Sequence, residues 1–199
     1  LPLGYSNVGY VLEVGKSVKG FKVGDRVASN GPHAEIFVVN QNLCALVPEE
    51  VSSEEGAFTV LASIGLQGIR LAVPTYGETF LVSGLGLIGL LTAQILISQG
   101  CRVLGVDLDK TKCLIAESFG VETFNISENN DQVNWILNKT NNIGVDGAIV
   151  TAATSSSLPI NLAAKSYRKK GRIILVGSTS IDLKREYFYA VSYTHLTLP

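Results

Sequence analysis

The segment from Gly84 to Gly89 has the residue types and the spacing of a phosphate-binding loop. Gly84, Gly86 and Gly89 match the pattern G-x-G-x-x-G. In that pattern the first glycine permits a tight turn, the second lets a diphosphate approach the backbone, and the third lets a helix pack closely against a strand. A helix that begins at Leu87 and Ile88 would attract the phosphates, because its N-terminus presents free N–H groups and partial positive charge.

The residues around the glycines supply the context that this chemistry needs. An apolar segment before Gly84 predicts a buried strand, and the segment from Leu87 onward predicts a helix. The next predicted strand ends at Asp107, about twenty residues beyond the glycines, where a carboxylate accepts both hydroxyls of an adenosine ribose. The same carboxylate repels a 2′-phosphate. The pattern therefore favours NAD(H) over NADP(H), a preference that Lys110 and Lys112 would weaken.

Two other interpretations of the glycine pattern remain. A methyltransferase uses a similar loop for S-adenosylmethionine, and a glycine turn beside a solvent-facing Asp107 needs no ligand at all. The combination of strand, spacing and acid favours the dinucleotide.

The elements that must position this loop alternate between strand and helix. Predicted strands cover residues 79–84, 102–107, 121–125, 145–152 and 171–177, and predicted helices cover 87–99, 110–120, 131–140 and 158–168. Strands that alternate with helices of about ten to fifteen residues are typical of a parallel, doubly wound α/β sheet of the Rossmann type. We assign this domain to residues 74–190.

The residues before it have a different pattern. β-branched and aromatic residues with glycine punctuation predict strands within residues 9–15, 16–29 and 34–39, so residues 1–50 form part of a small β-barrel or sheet. Ser52 and Glu55 fit a capping box that opens a helix running to about Ala72. Residues 51–73 are therefore a connecting helix.

The composition excludes several classes of partner. The net charge is −1 and the basic residues are scattered, so we expect neither nucleic acid nor a membrane as a partner. The three cysteines form no CxxC pair, which favours a reducing cytoplasm. Residues 79–101 carry no charge, which resembles a membrane span. Glycines near their start favour a buried strand, turn and helix instead.

With these motifs in place, the sequence resembles the medium-chain dehydrogenase/reductase superfamily, to which zinc alcohol dehydrogenases belong. The resemblance covers nearly all of residues 3–180, and it rests on the segments 4–27, 34–39, 83–112 and 145–178. It implies a Rossmann domain preceded by part of a GroES-like β-barrel catalytic domain. It also implies that Lys112 contacts the adenosine ribose. The backbone stretches that it places along the nicotinamide contain Thr151, Ala152, Val176 and Gly177.

The sequence departs from the zinc-containing members at the metal ligands. Those members carry Gly-His-Glu where this chain has Gly4, Tyr5 and Ser6, and Val60 occupies a further ligand position. Catalytic Zn²⁺ takes several protein ligands and one open position. The four-cysteine structural zinc loop is also absent from the sequence, so we expect no zinc. The pattern is closer to zinc-independent members, in particular to the dehydrogenase half of bi-domain oxidoreductases, which carry a second dehydrogenase module downstream.

Without zinc, a hydrogen-bond donor or a general acid must polarise the substrate oxygen. Tyr5 and Ser6 replace the metal-ligand motif and are candidate donors, and His33 is a candidate acid or base. Each residue also has a structural interpretation. Tyr5 would anchor the barrel, and His33 would be a solvent-exposed loop histidine.

The expected function is an NAD(H)-dependent oxidoreductase that transfers hydride between the nicotinamide and an alcohol or carbonyl-type small-molecule substrate without catalytic zinc. The alternative is a non-catalytic NAD(H)-binding module that supports or regulates a partner domain. We also expect a homodimer formed through a sheet edge. The sequence contains no Met and is expected to be a fragment. Its residues Val191–Pro199, with His195, resemble the translation of a sequencing adapter, and we exclude them from the candidate site.

Overall fold

The computed structural model of the protein describes residues 4–183 and 186–187. The chain divides into two compact units, and the boundary falls between Ser63 and Ile64. The segment Val191–Pro199 that we interpret as an adapter lies outside the described residues. The domain bounds 1–50, 51–73 and 74–190 remain predictions.

The first unit contains a three-stranded antiparallel sheet. Its strands are β1 (Tyr5–Tyr10), β2 (Arg26–Pro32) and β3 (Cys44–Leu46), in the order β1-β2-β3. The predicted strand at residues 34–39 is wrong, although its apolar residues favour an extended chain. The segment pairs with none of β1, β2 and β3, and Val38 is fully exposed.

The predicted capping box is confirmed, but the predicted single helix is two helices. Ser52 accepts a hydrogen bond from the Glu55 backbone N–H, and the Glu55 carboxylate accepts one from the Ser52 N–H. The one-turn helix α1 (Ser53–Gly56) ends there, and α2 (Thr59–Ala72) follows it. The break lies at Ala57, whose carbonyl accepts a hydrogen bond from the Ser6 hydroxyl.

The second unit is a five-stranded parallel sheet with helices between the strands. The elements are β4 (Thr79–Ser83), α3 (Leu87–Ser98), β5 (Arg102–Asp107), α4 (Lys110–Ser118), β6 (Glu122–Asn125), α5 (Gln132–Lys139), β7 (Val145–Val150), α6 (Leu158–Ser166) and β8 (Tyr167–Leu175). Their order in the sheet is β6-β5-β4-β7-β8, and each neighbouring pair is parallel. This order matches the first five strands of a Rossmann sheet, whose strands follow the order 3-2-1-4-5-6. The predicted fold class is confirmed.

The last strand begins earlier than predicted. Tyr167, which we assigned to the preceding helix, pairs with Val145 in the sheet. The register then shifts, so that Gly147 pairs with Arg172. Lys170 has φ +62°, and this left-handed conformation lets the chain bulge before it rejoins the ladder.

Helices cover both faces of the parallel sheet. One buried cluster joins the sheet to α2, α3 and α4 through Ile69, Ala93, Leu96 and Ala116. A second cluster on the other face joins it to α5 and α6 through Ile136 and Leu162. Each fully buried large apolar side chain contributes about 1.5–3 kcal/mol, so the two clusters hold the strand ends in fixed positions.

The uncharged segment 79–101 forms β4, a loop and α3, as predicted. None of the helices within the described residues has both the length and the apolar character needed to cross a bilayer.

Charged side chains stabilise the amino edge of the sheet. Glu122, at the start of β6, lies 2.7 Å from Arg102 and 2.8 Å from Lys139. Hydrogen bonds from these two cations, with a smaller contribution from their charges, lower the pKa of Glu122 to about 2. At the start of β7, Asp146 Oδ1 accepts a 2.6 Å bond from Arg168. These ion pairs have a structural role. The candidate site lies at the opposite, carboxyl edge of the sheet.

Candidate nucleotide site

The candidate site lies at the carboxyl edge of the parallel sheet, where the strand order reverses between β4 and β7. Ligands of open α/β sheets bind at such a switch point. Gly84 and Gly86 lie in the loop that follows β4, Gly89 lies in the first turn of α3, and Asp107 is the last residue of β5. The fold therefore brings the two predicted parts of the motif to the same edge.

Two of the three glycines are required by close backbone contacts. Gly84 has φ +101°, and a Cβ there would lie 2.6 Å from the backbone nitrogen of Ala152. A Cβ at Gly89 would lie 2.0 Å from the Gly84 carbonyl oxygen. The loop therefore turns tightly against β7 and against the first turn of α3, in agreement with the roles that the pattern predicts.

Gly86 differs from the other two because open space surrounds it. Its backbone is extended at φ −68° and ψ −175°, and a Cβ there would meet no atom within 4 Å. Gly86 is the N-cap of α3, and no side chain caps this helix end. The first N–H groups of a helix lack intrahelical partners. The backbone at Gly86, next to Leu87 and Ile88, is therefore open to a ligand.

Asp107 is held at the end of β5 by two backbone donors. Its Oδ2 accepts a 2.6 Å hydrogen bond from the Leu85 N–H, and its Oδ1 accepts a 2.9 Å bond from the Asp109 N–H. A carboxylate has about four acceptor positions, so capacity remains for ribose hydroxyls. The sequence pattern did not reveal the bond to Leu85, which links the carboxylate directly to the glycine loop.

Two lysines of α4 lie near this carboxylate in sequence. Lys112 Nζ is 4.0 Å from Asp109 Oδ2. Lys110 donates a 2.8 Å bond to Glu128, and this bond and the charge of Glu128 raise the pKa of Lys110. Lys110 is thus paired with a carboxylate, and neither lysine is bonded to Asp107 in the structure.

The predicted nicotinamide residues also meet at the carboxyl edge. The backbone N–H groups of Thr151 and Ala152 both donate to the Ser83 carbonyl, and those of Val176 and Gly177 both donate to the Val150 carbonyl. A Cβ at Gly177 would lie 2.1 Å from the Ala152 oxygen. The ends of β7 and β8 therefore approach each other more closely than any side chain would permit.

The catalytic candidates lie together in the first unit. The His33 N–H donates to the Gly4 carbonyl at 3.2 Å, and a Cβ at Gly4 would lie 3.0 Å from the His33 ring. Tyr5 pairs with Pro32 in the sheet, and the residue is 51% exposed. The Ser6 hydroxyl donates to the Ala57 carbonyl. Tyr5 and His33 are thus neighbours, whereas the Ser6 hydroxyl has a structural partner.

The side chains that could bind a metal ion are dispersed in the part of the chain that the structure describes. Within residues 4–183 and 186–187, no group of three or more His, Cys, Asp or Glu side chains is placed to hold a metal ion. Cys101 and Cys113 are buried, and burial raises the pKa of both thiols, which disfavours the thiolate that a metal requires.

A parallel sheet with this strand order and a glycine loop at its switch point defines a dinucleotide-binding domain. Comparison with known proteins then places the chain in a family. Residues 88–198 match the family model described as zinc-binding dehydrogenase. The chain belongs to this family, within the medium-chain dehydrogenase/reductase superfamily. Its first unit is accordingly part of a GroES-like domain.

Several relatives are dehydrogenases. The chain is 25% identical to an alcohol dehydrogenase of Moraxella sp. over 94% of this chain and 64% of the relative. It is 28% identical to a sorbitol dehydrogenase of Bacillus subtilis over 89% of this chain and 59% of the relative. The chain thus spans about 58–64% of the length of the first curated relatives that it matches.

Solved structures show the same fold. The crystal structure of 2R,3R-butanediol dehydrogenase from Bacillus subtilis superimposes with a TM-score of 0.78 at 25% identity, covering 92% of this chain and 61% of that one. A mycobacterial protein complexed with NADPH superimposes with a TM-score of 0.81 at 25% identity, covering 98% of this chain and 63% of that one.

Proposed function

We propose that the protein is an NAD(H)-dependent oxidoreductase acting on an alcohol or carbonyl-type substrate. The observation that carries the proposal is the open space at Gly86, beside an uncapped helix N-terminus and within a loop bonded to Asp107. The nicotinamide, when bound, supplies hydride-transfer chemistry. The dehydrogenase names of the relatives support this activity.

In this proposal the chain's own residues bind and orient the dinucleotide. The backbone around Gly86 and the first turn of α3 neutralise the diphosphate. Asp107 accepts the ribose hydroxyls with the acceptor positions that Leu85 and Asp109 leave free. Lys112 contacts the same ribose. The backbone of Thr151, Ala152, Val176 and Gly177 lines the nicotinamide, as the family resemblance implies.

Titration calorimetry tests the proposal directly. We expect the purified protein to bind NADH more tightly than NADPH and to show no measurable binding of S-adenosylmethionine. Binding of S-adenosylmethionine alone would support a methyltransferase instead. NADH binding without turnover on a panel of alcohols, ketones and aldehydes would support a non-catalytic module.

Asp107→Ser tests the preference for NAD(H). We expect NADH affinity to fall about 10- to 100-fold, because a hydrogen bond to a charged group contributes about 1.5–3 kcal/mol. NADPH affinity should fall less, since the repulsion of the 2′-phosphate also disappears. Dissociation constants for both dinucleotides measure this. Asp109→Asn keeps the α4 cap and serves as the control. An unchanged NADH-to-NADPH ratio in Asp107→Ser would remove Asp107 from the site.

We further propose that the enzyme works without catalytic zinc. Tyr5 occupies the position of the ligating histidine and Val60 that of a further ligand, and neither is a usual zinc ligand. Chelator-treated protein should therefore keep its turnover. A stoichiometric zinc ion whose removal abolishes turnover would contradict this proposal.

Tyr5 is the proposed hydrogen-bond donor to the substrate oxygen, with His33 as the neighbouring acid or base. Ser6 is the weakest of the three candidates, because its hydroxyl already bonds Ala57. We expect Tyr5→Phe to lower kcat by about 10²- to 10³-fold, the usual cost of losing a donor to a developing oxyanion. Tyr10→Phe, in the same strand, is the control. Equal kcat values for Tyr5→Phe and the wild type would assign Tyr5 a structural role.

The partners belong to the same proposal. We propose a cytoplasmic enzyme with a small-molecule substrate, a homodimer formed through a sheet edge, and a second oxidoreductase domain downstream in the full-length protein. Size-exclusion chromatography with light scattering tests the dimer.

A further inference from the structure

The backbone and the side chain of Thr151 bond different parts of the protein. The Thr151 N–H donates to the Ser83 carbonyl at 2.9 Å, which fixes the residue at the end of β7. Its hydroxyl donates to the Gly84 carbonyl at 2.5 Å and also lies 3.3 Å from the Ser83 oxygen. The hydroxyl is therefore bonded to the glycine loop, while the resemblance concerns only the backbone along the nicotinamide.

This hydroxyl contacts the loop where it is packed most tightly. A Cβ at Gly89 would lie 2.9 Å from Thr151 Oγ1 and 2.0 Å from the Gly84 oxygen. The hydroxyl thus fills the space between the loop and the first turn of α3. Thr151 is β-branched, which restricts its χ1 rotation, and its backbone is bonded to β4. The donor is consequently held in place.

The glycine loop is held from both sides. From β5, the Asp107 carboxylate accepts the Leu85 N–H at 2.6 Å, and from β7 the Thr151 hydroxyl donates to the Gly84 carbonyl. The Gly84 N–H also donates to the Val106 carbonyl at 2.9 Å. These bonds hold the peptide between Gly84 and Leu85. They therefore also fix the direction of the backbone at Gly86, the next residue.

We propose that Thr151 is a positioning residue for diphosphate binding, which it serves through the bond from its hydroxyl to the Gly84 carbonyl. This inference rests on the proposed NAD(H) function and adds a residue that acts on the phosphates through the loop. Its backbone retains the role along the nicotinamide that the resemblance implies.

Two ligands separate the two roles. ADP-ribose contains the adenosine and the diphosphate but lacks the nicotinamide ring. We expect Thr151→Val to weaken NADH and ADP-ribose by the same factor, about fivefold to tenfold, the size expected for the loss of one hydrogen bond. Thr151→Ser keeps the hydroxyl, and therefore the hydrogen bond to the Gly84 carbonyl. It should bind both ligands within about twofold of the wild-type affinity, a change smaller than the loss of one hydrogen bond produces.

Calorimetry of these variants decides the question. An unchanged ADP-ribose affinity with weaker NADH binding would overturn the proposal by assigning the side chain to the nicotinamide. Thr151→Ser binding as poorly as Thr151→Val would overturn it by assigning the effect to shape, and wild-type affinity in Thr151→Val would show no effect at all. Thr123→Val is the control, because the Thr123 hydroxyl bonds Glu117.

The result stays interpretable in two further cases. If Thr151→Val unfolds at the assay temperature, Thr151→Ala removes the same hydroxyl and must meet the same expectation. If the wild type binds neither NADH nor ADP-ribose, the proposed function itself is contradicted. If the wild type and Thr151→Val bind both ligands equally well, only the role of Thr151 is contradicted.

Discussion

Gly86→Val is expected to weaken NADH binding by at least about 100-fold while it lowers folded stability by only about 1 kcal/mol, because valine is a poorer N-cap than glycine. A factor of 100 equals about 2.7 kcal/mol, which is the size of one or two hydrogen bonds to a charged group. A Cβ at Gly86 meets no atom of the protein within 4 Å, and its φ of −68° suits any residue. The added side chain therefore occupies only the space assigned to the diphosphate.

The measurement combines calorimetry with NADH and thermal unfolding without ligand. Gly9→Val is the control, because Gly9 lies in β1 and a Cβ there would also meet no atom within 4 Å. The control should retain wild-type NADH affinity. Wild-type affinity in Gly86→Val would mean that the diphosphate does not bind at this loop, and the proposed function would fail with it.

Gly89→Ala, in contrast to Gly86→Val, is expected to cause a large loss of folded stability. A Cβ at this position would lie 2.0 Å from the Gly84 carbonyl oxygen and 3.0 Å from its carbon. These are backbone atoms that a rotamer change does not move. Overpacking of this kind costs about 3 kcal/mol, whereas alanine gains only about 1 kcal/mol over glycine in a helix. The contact therefore determines the sign.

Chemical denaturation measures this loss as a change in the free energy of unfolding. Gly86→Ala is the matched control, since it adds the same methyl group three residues earlier, in open space. We expect the control to lose only about 1 kcal/mol of stability, because alanine is a poorer N-cap than glycine. A Gly89→Ala variant as stable as this control would show that the loop and α3 are not in the close contact described.

The order of elements in the second unit was predictable from sequence because each carries a strong local signal. The segments that form β4, β5 and β7 are apolar and β-branched, and the glycine pattern lies between a strand and a helix. Parallel strands then bring their carboxyl ends to one edge. The meeting of Gly84 and Asp107 at that edge follows from the alternation alone.

The features that sequence reasoning missed depend on partners distant in the chain. The apolar residues around Val38 favour an extended segment, but this segment pairs with none of the three strands of the first unit. The break at Ala57 involves the Ser6 hydroxyl, which lies 51 residues away in sequence. The direction of the Thr151 hydroxyl is likewise set by Gly84 and Gly89. Neither composition nor periodicity records such contacts.

The double use of the Asp107 carboxylate limits how this protein can change its coenzyme during evolution. One oxygen bonds Leu85 in the glycine loop, and the other bonds Asp109 at the start of α4. A single exchange that removes the acid to admit a phosphorylated ribose also removes one of the bonds that hold the glycine loop. We therefore expect a switch of coenzyme to be favoured by a second substitution that restores a partner for the Leu85 N–H, so that the two changes are epistatic.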